Sequence, residues 1–492
     1  MIGFYGRTTN IMKIRNLSLA AALALGSIVS TSAAAIDLIA IGKLPGTGAD
    51  YSGLSGTLEN GTRGDLLGGI GSGLAWAGGS TFLALPDRGP NAVAWNASID
   101  NTTSYVPRFH TLNLDLIGQT DASTGLPFTL TPTLVRTTLL YSDRPLNYGG
   151  VVAGYAAEPS INRRGRHYFS GRSDNFRAGT PSSDASDARF DPEGIRLSRD
   201  GDSVYITDEY GPYLYEFDRR SGERIRAFKL PAALAIAVKA PTGAAEISGN
   251  ATGRVANKGM EGLAISPDGK TLFGFVQSPL IEDGGDGGRT NRIVRVDIKT
   301  GKTSQYIYDN YLADKNKAYN SSELLALNSH ELLVLERDGK GLGDDSKADV
   351  KRIYKIDLAG AQEASGLSGE AALLPKAVAK TLFLDVAAAL KAAGLTTAQI
   401  PAKLEGMAFD EDIVVNGVVK HTLYVANDND FLAVTPGGLA NPNMWFVFAF
   451  DNADLAGSTF VNQKIEHRGH GHGHDRGHDR DHDDDRDHDH GR

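Results

Sequence analysis

Glu193-Gly194-Ile195-Arg196-Leu197, Glu261-Gly262-Leu263-Ala264-Ile265 and Glu405-Gly406-Met407-Ala408-Phe409 are three copies of one short pattern. Ser72-Gly73-Leu74-Ala75-Trp76 and Glu323-Leu324-Leu325-Ala326-Leu327 are looser copies. A turn follows each, often Asp-Gly as at Asp200-Gly201 and Asp268-Gly269, and then an apolar run such as Val204 to Thr207 or Leu272 to Val276. Further runs alternate apolar and polar residues, as in Tyr213 to Asp218 and Arg292 to Ile298, which is the period of a half-buried strand. Ser221-Gly222 and Thr300-Gly301 turn these back. Each unit therefore reads as four antiparallel strands. One such sheet cannot cover both its faces, whereas radial stacking covers them, so the fold class is all-β and the architecture a single β-propeller.

Five openings are visible, and the gap between Ser72 and Glu193 is about twice the others. A degenerate blade with strands near Thr131 to Leu140 and His167 to Ser170 is expected there, which gives about six blades, or seven. A strand from Ile36 to Gly42 is expected to close the ring beside the last blade. Val386 to Ala393 reads as a short helical surface insertion, and Asp174 to Asp187 as a loop.

The flanks differ from this core. Lys13 and Arg15, the apolar stretch Leu17 to Val29 and the small residues Ala33-Ala34-Ala35 form a signal-peptide pattern over residues 1–35, with cleavage after Ala35. Periplasmic or secreted localisation follows. The propeller domain is expected over 36–463, and a disordered tail over 464–492. Eight His and eight Asp lie between His467 and His490, a composition that builds no core and binds transition metals weakly. The chain has no cysteine, so thiol catalysis and disulfides are excluded. A net charge of −9 argues against nucleic acid as a partner, and no membrane-spanning segment is read. Oligomeric state is not legible.

Antiparallel strands place the start of each first strand and the end of each second strand on one side of the disc. Glu193, Glu261, Glu323 and Glu405 lie at starts; Asp87-Arg88, Asp208-Glu209, Gln277, Glu336-Arg337-Asp338 and Asn427 to Asp430 lie at ends. All are expected to ring one mouth of the central channel. Converging carboxylates suit a hard cation such as Ca²⁺, and Asp87, Glu193, Glu261, Glu405, Asp338 and Asp428 are the expected ligands. Asp208, Glu209 and Glu336 are expected to orient a metal-activated water. Arg88, Lys258 and Arg337 are expected to meet a small anionic ester substrate. A second reading of each repeated Glu stands beside this one, namely that it accepts backbone N–H groups of the neighbouring blade. The acidic Gly-rich loops Glu282 to Gly288 and Asp338 to Asp345 lack the spacing of an EF-hand.

Leu83-Ala84-Leu85-Pro86-Asp87-Arg88-Gly89-Pro90, Asp191-Pro192-Glu193-Gly194, Asn257-Lys258-Gly259-Met260-Glu261-Gly262-Leu263, Leu333-Val334-Leu335-Glu336-Arg337-Asp338 and Leu404-Glu405-Gly406 occur in this order. In them the chain, over roughly Leu54 to Phe431, resembles the phytase-like family of exported proteins, described as having esterase-like activity of phytase. The resemblance implies a propeller-like fold and hydrolysis of phosphomonoesters or related esters. A non-catalytic propeller that binds a ligand or partner protein is the alternative, and a metal-dependent lactonase or carboxylesterase a third reading.

Overall fold

The computed structural model describes residues 36–150 and 158–466. The expected signal peptide and the His/Asp-rich stretch from His467 lie outside the described residues.

Five sheets radiate from one axis. The first holds β2 (Gly73–Trp76), β3 (Thr81–Leu85), β4 (Arg108–Ile117) and β5 (Thr129–Leu139). A two-residue ladder, β6 (Tyr141–Ser142) with β7 (His167–Tyr168), follows. The second blade holds β8 (Pro192–Leu197), β9 (Ser203–Asp208), β10 (Leu214–Asp218) and β11 (Arg224–Ala227). The third holds β12 (Met260–Ile265), β13 (Thr271–Val276), β14 (Thr290–Asp297) and β15 (Thr303–Asp309), and a small hairpin, β16 (Tyr311–Leu312) and β17 (Lys317–Ala318), follows it. The fourth comprises β18 (Asn320–Ala326), β19 (Glu331–Arg337), β20 (Lys351–Asp357) and β22 (Lys380–Asp385); β21 (Ala377–Val378) crosses back to pair with β15. The fifth is β23 (Lys403–Phe409), β25 (Val418–Asp428), β26 (Asn443–Phe450) and β1 (Asp37–Leu44), with β24 (Ile413–Val415) as an outlying partner of β25.

The propeller is as expected, but among the described residues it has five blades rather than six. The stretch near Thr131 is the outer strand of the first blade, and His167–Tyr168 makes only the short ladder. The doubled gap holds a long connection instead of a blade. The N-terminal strand closes the ring, pairing from Asp37↔Ala449 to Leu44↔Asn443. This joins the two ends of the domain through main-chain bonds. Asp174 to Asp187 is a loop, yet Asp174, Asn175 and Asp187 are fully buried. The helix Val386–Ala392 forms, but Val386, Ala387 and Leu390 are buried in the core between the fourth and fifth blades, so it is packed rather than superficial.

The hydrophobic core is divided among the spaces between neighbouring blades. Phe82 of the first blade meets Tyr424 of the fifth at 4.8 Å between ring centroids, beside the fully buried Trp445. Phe190 and Tyr215 stack at 5.4 Å between the first and second blades. No helix among the described residues is long and apolar enough to cross a membrane.

The channel is closed below its mouth. At mid-depth, Arg196 donates to the carbonyls of Leu74 and Leu324, on the first and fourth blades, and pairs with Glu323 at 3.1 Å. On the far face the final segment crosses the disc. The Val461 N–H donates to Leu327 O, the Asn462 side chain to Asp410 O, the Gln463 side chain to Leu197 O and the Glu466 N–H to Arg199 O. Phe460 packs on Phe409 at 4.5 Å. These bonds tie three connections of the far face together. Ending the chain at Thr459 is expected to lower stability by about 3–5 kcal/mol, given roughly 1 kcal/mol per hydrogen bond plus one partly lost aromatic contact; urea unfolding followed by circular dichroism measures it.

Candidate metal and ester-hydrolysis site at the channel mouth

Strand register decides which side chains meet at the mouth. Against their partners, the inner strands carry an unpaired step: Glu193-Gly194 before Ile195↔Ile206, Glu261 before Gly262↔Phe275, Ser322 before Glu323↔Leu335, and Glu405-Gly406 before Met407↔Val425. Ser72 stands before Gly73↔Leu85 in the first blade. One ring of equivalent positions is therefore Ser72, Glu193, Glu261, Ser322 and Glu405. A second ring, at the ends of the second strands, is Asp87, Glu209, Gln277, Arg337 and Asp428.

The glycine of each Glu-Gly step lies where adjacent inner strands approach most closely. A Cβ on Gly194 would stand 2.7 Å from Leu263 Cβ, and one on Gly73 2.5 Å from the carbonyl oxygen of Glu193. Neither neighbour is a flexible chain end. Gly194→Ala is expected to destabilise the fold by about 1–3 kcal/mol through overpacking, measured as a fall in thermal midpoint.

This register corrects the expected mouth in four places. Glu323 occupies the glycine position rather than the acid position. Its carboxylate accepts N–H bonds from Leu263 of the neighbouring blade at 2.9 Å and from Leu324 at 3.0 Å. The backbone-acceptor reading thus holds for Glu323. Asp208 and Glu336 fall one residue before the second ring, and side chains alternate along a strand, so both turn away from the channel. Asp208 is fully buried and accepts the N–H groups of Asp191 at 2.7 Å and Gly211 at 2.6 Å. Glu336 is buried against Tyr308 and Lys380. Asp338 lies beyond the strand end, where Lys351 pairs with it at 2.7 Å and the Asp349 and Val350 N–H groups bind it. Of the two acidic loops, Asp283 is paired with buried Arg292 and Asp345 accepts the Gly437 N–H, so both are tethered.

The remaining residues do converge. One carboxylate oxygen each from Asp191, Glu193 and Glu209 lies within 4.8 Å of the others, and all three side chains are buried. Glu209 also faces Glu261 at hydrogen-bonding range and accepts the Gly259 N–H at 3.1 Å. Asp191 was not among the expected ligands, although it lies two residues before Glu193 and so shares its face of the strand. Lys403, in the same place before Glu405, pairs with Asp428 at 3.1 Å and with Asp430.

Cations are fewer than acids here. Arg88 pairs with Asp191 at 2.5 Å, and Arg337 pairs with Glu405 while donating to Ser322 at 2.8 Å. Lys258 is partly exposed and 3.7 Å from Asp286. Asp87, Glu193, Glu209 and Glu261 have no ion-pair partner among the described residues. Burial and mutual repulsion act on them accordingly. Burial, then Asp191, pushes Glu209 up to about 7. Burial, with Asp430 and Glu405 beside it, raises Asp428 to about 7 against the pull of Lys403. Glu193 is held well above the usual carboxylate range by burial and by Glu261 and Asp191, Glu261 by burial and Glu209, and Asp87 by burial and Asp428.

These raised values have a pH consequence. Glu209 and Asp428, whose folded values exceed their unfolded ones, favour folding below about pH 4 and lose that contribution as pH rises through about 7. Without divalent cations, the thermal midpoint is expected to fall between pH 5 and pH 8, and Glu209→Gln to shrink the fall. Calorimetry in chelator measures both.

The donor set fits a hard divalent cation. All the atoms are carboxylate oxygens, and a separation within 4.8 Å is what oxygens at roughly 2.3–2.6 Å from one Ca²⁺ produce.

Comparison with known proteins places the chain. An uncharacterized secreted protein of Arthroderma benhamiae is 30% identical over 318 residues, 56% of this chain and 60% of the relative, so the match spans about three fifths of that protein's length. Among solved structures, the periplasmic gluconolactonase of Pseudomonas aeruginosa is 13% identical, covering 84% of this chain and 99% of its own, with a TM-score of 0.30. A putative 6-phosphogluconolactonase of Bacteroides uniformis is 13% identical over 81% of this chain and 98% of its own, with a TM-score of 0.28. The family model Phytase-like, described as esterase-like activity of phytase, matches residues 65–431, and the chain belongs to that family.

Proposed function

We propose that the protein is an exported, metal-dependent hydrolase of phosphomonoesters or related esters, with its centre at the acidic mouth. The observation that carries this is the convergence of Asp191, Glu193 and Glu209 in a buried bowl where acids outnumber cations. The family description supports ester hydrolysis, and the secreted relative supports export. Asp191, Glu193 and Glu209 would hold Ca²⁺, with Glu261, Glu405, Asp87 and Asp428 shaping the field around it. A bound cation there supplies Lewis-acid polarisation of the ester oxygen and a more acidic water.

The chain's own residues do the rest. Glu261, which faces Glu209 and is held above the usual carboxylate range by burial and by Glu209, would accept a proton of water. Arg88 and Arg337 are ion-paired with Asp191 and Glu405, and Lys258 is the least closely paired cation at the rim. These three would take the anionic part of the substrate. Asp208 and Glu336 leave the set of water-orienting residues because they face away from the bowl. The Arg196–Glu323 pair closes the channel below, so substrate enters and product leaves by the same mouth.

The test is a chelator-treated preparation assayed on phytate, an aryl phosphate, aryl esters and lactones, with and without Ca²⁺. Hydrolysis of at least one class, lost on chelation and restored by Ca²⁺, is expected. No turnover of any ester with Ca²⁺ present overturns the proposal and leaves the binding propeller.

A further inference from the structure

We infer that Thr207 and Asp208, at the end of β9, are positioning residues that set the acidic triad; this rests on the reading of the mouth as a cation site. The Asp208 side chain turns away from the bowl, and the Thr207 hydroxyl is engaged by main-chain groups. Asp208 binds the chain entering β8 to the turn leaving β9, because its two carboxylate oxygens accept the N–H groups of Asp191 and Gly211 separately. The Thr207 hydroxyl accepts the Gly194 N–H at 2.9 Å and donates to the Glu261 carbonyl oxygen at 3.3 Å. Next along the strand, the Glu209 carboxylate accepts the Gly259 N–H. Three consecutive residues thus fix Asp191, the main chain just after Glu193, and the start of the strand that carries Glu261.

The support behind them is a buried, ion-paired network. Arg254 donates twice to the Tyr210 carbonyl, at 3.0 and 2.7 Å, and is ion-paired with Glu246 at 2.7 Å. Glu246 also pairs with Arg189 at 2.8 Å. All of these side chains are buried. Residues in such places around metal sites orient the ligands without touching the ion, and their loss weakens affinity by about 10–100-fold.

The chemistry of the two side chains selects the variants. An asparagine at 208 keeps the shape but has one acceptor oxygen, so one of the two N–H groups meets an amide NH₂ instead. A valine at 207 keeps the branched shape and removes both bonds, whereas a serine keeps the hydroxyl.

The experiment uses the full chain, stripped with chelator. Ca²⁺ uptake is measured by titration calorimetry, with Glu193→Gln as the reference for uptake elsewhere, such as the acidic tail. Amide hydrogen exchange is followed in the metal-free state. Asp208→Asn and Thr207→Val are each expected to weaken mouth affinity tenfold or more, while Thr207→Ser keeps the wild-type value. In metal-free Asp208→Asn, exchange is expected to quicken at Asp191 and Gly211 and to stay unchanged in β4 and β14. Wild-type affinity in both Asp208→Asn and Thr207→Val, or loss of protection spread through all blades, overturns the positioning role. If wild-type protein differs in no way from Glu193→Gln in Ca²⁺ uptake, the cation reading itself fails. The exchange data then decide alone, and unchanged Asp191 protection in Asp208→Asn overturns the inference.

Discussion

Glu193→Gln is expected to lower the rate of Ca²⁺-dependent ester hydrolysis sharply and, in chelator at pH 8, to raise the thermal midpoint. The two effects have one origin. Glu193 is buried, has no ion-pair partner among the described residues, and is surrounded by Asp191, Glu209 and Glu261. In the metal-free protein its charge is a liability, because burial and like charges both oppose it. Removing that charge relieves repulsion, so stability rises at a pH where the other acids are ionised. The same change takes one of three converging oxygens from the cation. A rate loss on the order of 10²–10³-fold corresponds to the several kcal/mol that a Lewis acid contributes. Ca²⁺ should then stabilise the wild type and not the variant. A variant that loses both activity and stability would instead mark Glu193 as a structural acid.

Arg196→Met should cost about 3–5 kcal/mol, the largest loss expected from any single change near the axis. Its guanidinium reaches carbonyls on two other blades and neutralises Glu323, which has no exposure to solvent. Taking away one partner of a buried pair leaves the other charge uncompensated. The double variant Arg196→Met/Glu323→Gln should lose less than Arg196→Met alone, since no buried charge is left. Denaturant unfolding of both proteins measures the difference. Equal losses would show that the three-blade carbonyl bridge, rather than the charge pair, holds the floor of the bowl.

The sequence was informative where it repeated and misleading where it varied. The Glu-Gly steps and alternating runs specify strands and their order, and the closing strand Asp37–Leu44 was legible as an apolar run outside the repeats. The sixth blade was not there to be read, because the long connection carries strand-like residues that pair only locally. Within the mouth, the expected residues divide by parity. Glu209, Arg337 and Asp428 face the bowl, while Asp208 and Glu336, one position earlier, face away. Alternation alone could have separated them.

Register is a harder matter. Glu323-Leu324 resembles Glu-Gly in order, yet the unpaired residue in that blade is Ser322, so Glu323 takes the place of Gly262. A single bulge shifted the match by one residue, and nothing local in the sequence marks it. Asp191 and Lys403 were missed for a simpler reason: they occupy the same position, two before the repeated acid, and carry opposite charges. Only the geometry shows that one joins the acids and the other neutralises them.

The account stands on one physical claim, that the buried acids of the second and third blades are arranged for a cation. A crystal structure grown with Ca²⁺, or with Tb³⁺ as an anomalous scatterer, tests it most directly. The account predicts an ion ligated by Asp191, Glu193 and Glu209, with Asp208 and Glu336 making no contact with it. A bowl that holds only water at millimolar Ca²⁺ would contradict it.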